Sequence, residues 1–193
     1  DEDNLYRQMK MVYRLNSKQL NILQHLVRWR FQQAKKRDLP IGFVAKDHTL
    51  MAIAQHNPQN IEEMNKLQGA ELLDIRHKGK TMLSIVKSAS QTSESDYPAK
   101  ITRLDEYPGY KQIFKAVKAF IVAIAEKNSL AIENLASKKQ INQFLTWHFN
   151  INDVRALNSS VEASLPNVDI LSGWRNELFG QTLQAFADND FKG

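Results

Sequence analysis

The 193-residue sequence predicts an all-α fold, built as two related five-helix bundles in tandem. Two observations carry this. Apolar residues recur at helical spacing along almost the whole chain, and no convincing period-two strand pattern arises anywhere. The sequence also repeats at an offset of 91: Ala34-x-Lys36-x-x-Leu39-x-Ile41 falls on Ala125-x-Lys127-x-x-Leu130-x-Ile132 without a gap. The register extends upstream, with Ile22, Leu26 and Trp29 over Ile113, Val117 and Phe120, and downstream, with Leu50 over Ile141. A repeat of roughly 80–90 residues is a duplicated module.

In the first copy, Asn16-Ser17 precedes Leu20, Leu23, Leu26 and Val27, the spacing of a helix with a capping serine at its start. That helix runs to about Arg37 and ends before Leu39-Pro40, because a residue ahead of proline avoids helical dihedrals. Asp47 is placed to cap a second helix, Leu50 to Gln55, which stops at Asn57-Pro58. Asn60 with Glu63 reads as an Asn variant of the capping box and opens a short third helix through Met64. After a turn at Leu67-Gln68-Gly69, a fourth and a fifth helix are predicted on either side of Gly79. Segment 90–99 is polar with a proline near its end, and reads as a linker.

The second copy follows the same plan. Tyr107-Pro108-Gly109-Tyr110 turns into a long helix whose apolar face is Ile113, Val117, Phe120 and Ile124, and Ser137 caps an Ile141–Trp147 helix. Segment 150–164 is an insertion, predicted as a loop with a short helical piece. Leu171-Ser172-Gly173 then matches Leu67-Gln68-Gly69, and Gly180-x-Thr182 matches Gly79-x-Thr81.

Composition narrows the function. There is no cysteine, which excludes disulfides, thiolate metal sites and thiol catalysis. No apolar run approaches the roughly 20 residues of a membrane span, and a cytoplasmic setting with no membrane partner is expected. The net charge of +5 is uneven: residues 1–95 hold 15 Lys+Arg against 10 Asp+Glu, whereas residues 96–193 hold 11 of each. A basic module beside a neutral one suggests a polyanion partner for the first; scattered solubilising lysines are the alternative.

No catalytic pattern emerges. His25, His48, His56, His77 and His148 show no metal-ligand spacing, and no phosphate-binding glycine loop or nucleophile elbow is present. Asp1-Glu2-Asp3 has the text of a metal-binding pair but no strand around it, and reads as linker. Glu62-Glu63 and Asp105-Glu106 read as charge complementing helix N-termini. The expectation is a chain with no catalytic residues, no metal ligands and no cofactor. Binding chemistry remains. Lys35, Lys36 and Arg37 close the first helix, and Lys46, Arg76, Lys78 and Lys80 add positive charge around helix ends. Such groups neutralise phosphates without reading sequence. Gly69 and Gly79 are read as turns whose following amides could face a phosphate, or as simple packing glycines. Trp29, Trp147 and Trp174 could stack on bases, but their aliphatic neighbours favour core packing.

The stretch Leu23-Gln-His-Leu-Val-Arg-Trp-Arg-x-x-x-Ala34, with Leu39-Pro40, Val44, Leu50-x-x-Ile53-Ala54, Pro58, Leu67-x-Gly69 and Gly79-x-x-x-Leu83, resembles an HRDC domain. That helical module is shared by RNase D-type exoribonucleases and RecQ-type helicases. Pro108-Gly109-Tyr110-x-x-x-Phe114, Leu135-Ala136-Ser137-x-x-Gln140-Ile141 and Ser172-Gly173-Trp174-Arg175-x-Glu177-Leu178 resemble the second HRDC domain of bacterial ribonuclease D. The resemblance implies this organisation: 1–16, a segment leading from a missing catalytic domain; 17–89, a basic first HRDC domain; 90–99, the linker; 100–188, the second HRDC domain; 189–193, a tail. It implies RNA, in particular tRNA precursors, and the chain's own N-terminal exonuclease domain as partners of a monomer. The implied 3′→5′ exoribonuclease activity, with its divalent Mg or Mn ions, belongs to that missing domain. Two alternatives stand beside it: protein-contact modules that shape a clamp around the nuclease, or the HRDC region of a RecQ-type helicase.

Overall fold

A computed structural model describes residues 1–158 and 168–193, and every described element is a helix or a turn. The chain divides into two compact units, Asp1–Ile101 and Thr102–Gly193. The predicted loop of 150–164 yields a 3₁₀ turn and a short helix, Val154–Asn158; its remainder, from 159, lies outside the described residues.

The first unit opens with two 3₁₀ turns, Glu2–Gln8 and Val12–Arg14. Then come α1 (Ser17–Arg37), α2 (Ile41–Val44), α3 (Asp47–His56), α4 (Ile61–Asn65) and α5 (Leu72–Ala89). Asn16, not Ser17, caps α1: its Oδ1 accepts from the Gln19 amide, and Gln19 Oε1 accepts in turn from the Asn16 amide. The helix ends as expected, with Asp38 in the left-handed region at φ 51 ahead of Leu39-Pro40. Leu20, Leu23 and Leu26 from α1 meet Leu50 and Ile53 from α3, Met64 from α4, and Met82 and Val86 from α5 in one core.

Three predicted features differ. Residues 1–16, expected as a segment preceding the bundle, are built into it: Tyr6, Met9, Val12 and Leu15 are buried in the same core. At about 1.5–3 kcal/mol per fully buried large apolar side chain, that segment is part of what stabilises the unit. Asp1-Glu2-Asp3 is correspondingly an anchor rather than loose linker, with Asp3 paired to Arg28 at 2.7 Å. The predicted break at Gly79 is absent. Gly79 lies buried inside an uninterrupted α5, where a Cβ would stand 3.6 Å from both Ile61 Cδ1 and Met64 Sδ of α4. The fifth helix is instead α2, a single turn after Pro40.

The second unit repeats the plan with α6 (Tyr110–Lys127), α7 (Ile132–Leu135), α8 (Lys138–His148) and α9 (Val154–Asn158). Its last helix starts as α10 (Gly173–Arg175), widens into a π turn (Asn176–Gly180) and continues as α11 (Gln181–Asp188). The offset of 91 is structural: α7 stands that far beyond α2, and Ser129, at φ 53, matches Asp38. Ser137 caps α8 in a capping box with Gln140, as its sequence predicts. Val117, Ile121, Ile141, Phe144, Phe179 and Leu183 fill the second core.

Candidate nucleic-acid interface

Two groups of cations in the first unit contrast. Arg28, Arg30 and Lys66 are engaged, with Asp3, Asp47 and Glu62. Arg30 is the extreme case, since its side chain is only 4% exposed. It donates to the Ala45 carbonyl at 3.0 Å and to the Asp47 carboxylate at 2.6 Å. Asp47 therefore holds a buried guanidinium, and does not cap α3 as predicted. An uncompensated charge there would be strongly destabilising. The seven residues singled out from the sequence form the second group. Lys35, Lys36, Arg37, Lys46, Arg76 and Lys80 are exposed and Lys78 half-buried, and none makes an ion pair among the described residues.

Helix geometry sets where these charges point. Lys35, Lys36 and Arg37 are consecutive in the last turn of α1, so they fan around the helix, at about 100° per residue, rather than share a face. On α5 the cluster divides. Asp74 Oδ2 accepts from the Lys46 amide at 2.8 Å and from Thr49 Oγ1 at 2.7 Å, so its flank faces the start of α3. Lys78, one turn after Asp74, shares that flank with Lys46, whereas Arg76 and Lys80 lie on the other, together with Lys87. The Lys46 ammonium stands 5.9 Å from the centre of the exposed Phe43 ring. Of the two glycines considered for phosphate binding, Gly69 does occupy a turn, at φ 85; Gly79, buried in mid-helix, offers no free amide.

Two cations outside that set line a cleft of about 410 Å³ with His48, Met51, Gln55 and Gln68. They are Lys10 and Arg14, exposed and without an ion pair among the described residues. Their spacing of four is a sequence signal, but it sits in a segment that read as a lead-in to the bundle.

The second unit is neutral in sum but not uniform. Lys111, Lys115 and Lys118 recur at helical spacing on the outward side of α6. Trp174, expected in the core, is 50% exposed, with the Arg175 guanidinium 4.3 Å from its ring. Arg175 is fixed there by donating to the Leu135 carbonyl at 2.9 Å. Trp29 and Trp147 do pack against their cores, as expected. His148 is packed among Phe144, Phe149 and Phe191. Burial, and secondarily the nearby Arg155, hold its pKa below the usual 6.5; Asp188, 3.8 Å away, pulls upward and is outweighed. Among the described residues no three His, Asp or Glu side chains converge, so no step of metal chemistry is assigned to them. No described helix is long and apolar enough to cross a membrane.

Comparison with known proteins agrees with this architecture. Residues 19–86 match the family described as HRDC domain, and residues 108–183 the family described as Ribonuclease D, C-terminal HRDC domain. Ribonuclease D of Serratia proteamaculans is 38% identical over 179 residues, covering 93% of this chain and 45% of the relative. Ribonuclease D of Escherichia coli is 34% identical over 181 residues, covering 94% and 45%. The crystal structure of Escherichia coli RNase D, an exoribonuclease involved in structured RNA processing, superposes with a TM-score of 0.82 at 31% identity, over 97% of this chain and 47% of that one. The chain spans about half the length of the relatives it matches. With two HRDC-type bundles in tandem, the second matching the ribonuclease D form, the chain belongs to the HRDC family as a paired HRDC region of the ribonuclease D type.

Proposed function

We propose that this chain is the RNA-binding region of a ribonuclease D-like 3′→5′ exoribonuclease that acts in tRNA 3′-end processing. It holds structured precursor RNA while a nuclease domain outside this chain, with its divalent metals, removes nucleotides from the 3′ end. The protein works as a cytoplasmic monomer. One observation supports this reading above the others. Lys35, Lys36, Arg37, Lys46, Arg76, Lys78 and Lys80 make no ion pair among the described residues, on a unit whose other cations include the paired Arg28, Arg30 and Lys66. Unpaired surface cations are what phosphate contacts require, because each must give up only water and counterions. Lys10 and Arg14, on the cleft beside His48, add two further exposed cations.

A second reading has its own observation. Phe43, Leu72 and Leu73 are 73%, 69% and 56% exposed, an apolar display that suits a protein contact, as in a clamp around the nuclease. Charge reversal separates the two. With Lys35→Glu, Lys36→Glu and Arg37→Glu combined, affinity for a tRNA precursor, read by fluorescence anisotropy, falls at least tenfold if these residues touch RNA. Unchanged affinity, with altered docking to the nuclease domain, favours the contact module.

A further inference from the structure

The repeat sets the outward face of α6 on a face of α1 that is covered. Lys115, Lys118, Ala119, Val122, Ala123 and Glu126 correspond to Gln24, Val27, Arg28, Phe31, Gln32 and Lys35. In the first unit an acidic 3₁₀ segment closes this face. Gln24 Nε2 donates to the Asp3 carbonyl at 2.9 Å, Arg28 Nε to the Asp3 carboxylate at 2.7 Å, and Gln32 Nε2 to the Glu2 carboxylate at 3.1 Å. Val27 is left 4% exposed, with Leu5 and Met9 of that segment in the same apolar cluster.

The second unit has no such cover among its described residues. Lys115, Lys118, Ala119 and Ala123 are exposed, Val122 is half-buried, and together with Glu126 they line a shallow hollow of about 440 Å³. The repeat explains why. Residues 92–101 are the counterparts of 1–10, but they are anchored to the first unit: Lys100 Nζ donates to the carbonyls of Tyr13 and Leu15, at 2.9 and 3.3 Å, and Ile101 packs on the first core. The duplication has kept the helix and changed the side chains of this face, and has given the counterpart of its cover another task.

We propose that this face of α6 docks an acidic, amphipathic helical turn of a protein partner, at the position where α1 holds residues 2–9. Carboxylates of the partner meet Lys115 and Lys118, which have no ion pair among the described residues. Ala119 and Ala123 let its backbone approach, and Val122 receives an aliphatic anchor. Protein suits the face better than RNA does. Its floor is apolar, Glu126 at its edge repels phosphates, and the occupant of the matching face in the same molecule is an acidic peptide.

The probe is a synthetic peptide with the sequence of residues 1–11, titrated into the ¹⁵N-labelled 193-residue chain. Amides of residues 115–126 are followed by NMR, which separates binding on α6 from exchange on α1. Saturable shifts on α6 are expected. They weaken with added salt, and affinity falls at least tenfold in Lys115→Glu/Lys118→Glu, a surface pair whose retained fold is checked by circular dichroism. A control peptide carrying Asp1→Lys, Glu2→Lys and Asp3→Lys leaves α6 unmoved. If the acidic peptide leaves those amides unmoved at millimolar concentration, the proposal is wrong. It is equally wrong if single-stranded RNA shifts them and the peptide does not.

Discussion

Two helical glycines that look alike in the sequence respond oppositely to gaining one methyl group. At Gly79 the new Cβ would meet Ile75 Cγ2 at 3.4 Å and Ile61 Cδ1 and Met64 Sδ at 3.6 Å, ordinary contacts with movable side-chain ends. The residue is helical and interior, so Gly79→Ala gains helix propensity of about 1 kcal/mol, most of which survives. At Gly180 the Cβ would stand 2.3 Å from the Ile170 carbonyl oxygen and 2.9 Å from Asn176 Oδ1. Carbon–oxygen contacts ordinarily begin near 3.3 Å, so the Asp169–Leu171 turn must retreat by about 1 Å. That turn carries the buried Ile170 and Leu171, and backbone cannot swing aside as a side chain can. Overpacking of this kind costs about 3 kcal/mol, offset by about 1 kcal/mol of propensity. The net loss of about 2 kcal/mol lowers the melting temperature of a unit this size by about 8–16 °C, while Gly79→Ala raises that of the first unit by about 4–8 °C. Thermal unfolding by circular dichroism measures both, with hydrogen exchange assigning each transition to its unit. A Gly180→Ala protein that melts with the wild type, or above it, would refute the close approach.

Asp74 joins α5 to α3 through two hydrogen bonds, so Asp74→Ala should destabilise the first unit by about 1–3 kcal/mol, measured by urea denaturation. Amide exchange at Lys46 should accelerate with it; protection equal to wild type would mean that another acceptor takes over. His148 gives the second unit a pH dependence. Its folded pKa lies below 6.5, so the unfolded chain takes up the proton first as pH falls. The contribution is fully present above about pH 6.5 and is lost as pH drops through the folded value. The second unit's melting temperature should therefore fall between pH 7.5 and pH 5, and His148→Gln should flatten that part of the curve. A curve unchanged by the substitution would place the titration elsewhere.

The long helices were legible because their apolar residues keep a 3.6-residue period over many turns. That period also carried the repeat, and with it the all-α class. α2 and α7 were not legible, since a single turn after Pro40 or Ala131 is too short to show any period. Gly79 misled in the other direction: glycine weakens an isolated helix, yet α5 runs through it without a break, packed against Ile61 and Met64 of α4. The opening segment packs through 3₁₀ turns, whose spacing matches neither helix nor strand, so its buried Tyr6, Met9, Val12 and Leu15 gave no signal. Arg30 holds the place that Ile121 fills in the second copy, and nothing in a sequence marks a core arginine before its carboxylate is found. For the interface, charge runs showed which residues carry positive charge. Only the helices show that Arg76 and Lys80 turn away from Lys78, and that α6 has an uncovered basic face.

The central claim, that the chain grips RNA through phosphates, is tested most directly by the slope of log affinity against log salt for a tRNA precursor. Each neutralised phosphate contributes about −0.9 on a duplex and about −0.7 on a single strand. Engagement of Lys35, Lys36, Arg37, Lys46, Arg76, Lys78 and Lys80 together predicts a slope between about −5 and −6, made shallower by roughly one for each of these cations replaced by alanine. A slope near zero for the wild-type chain, or one that the seven substitutions leave unchanged, would contradict it.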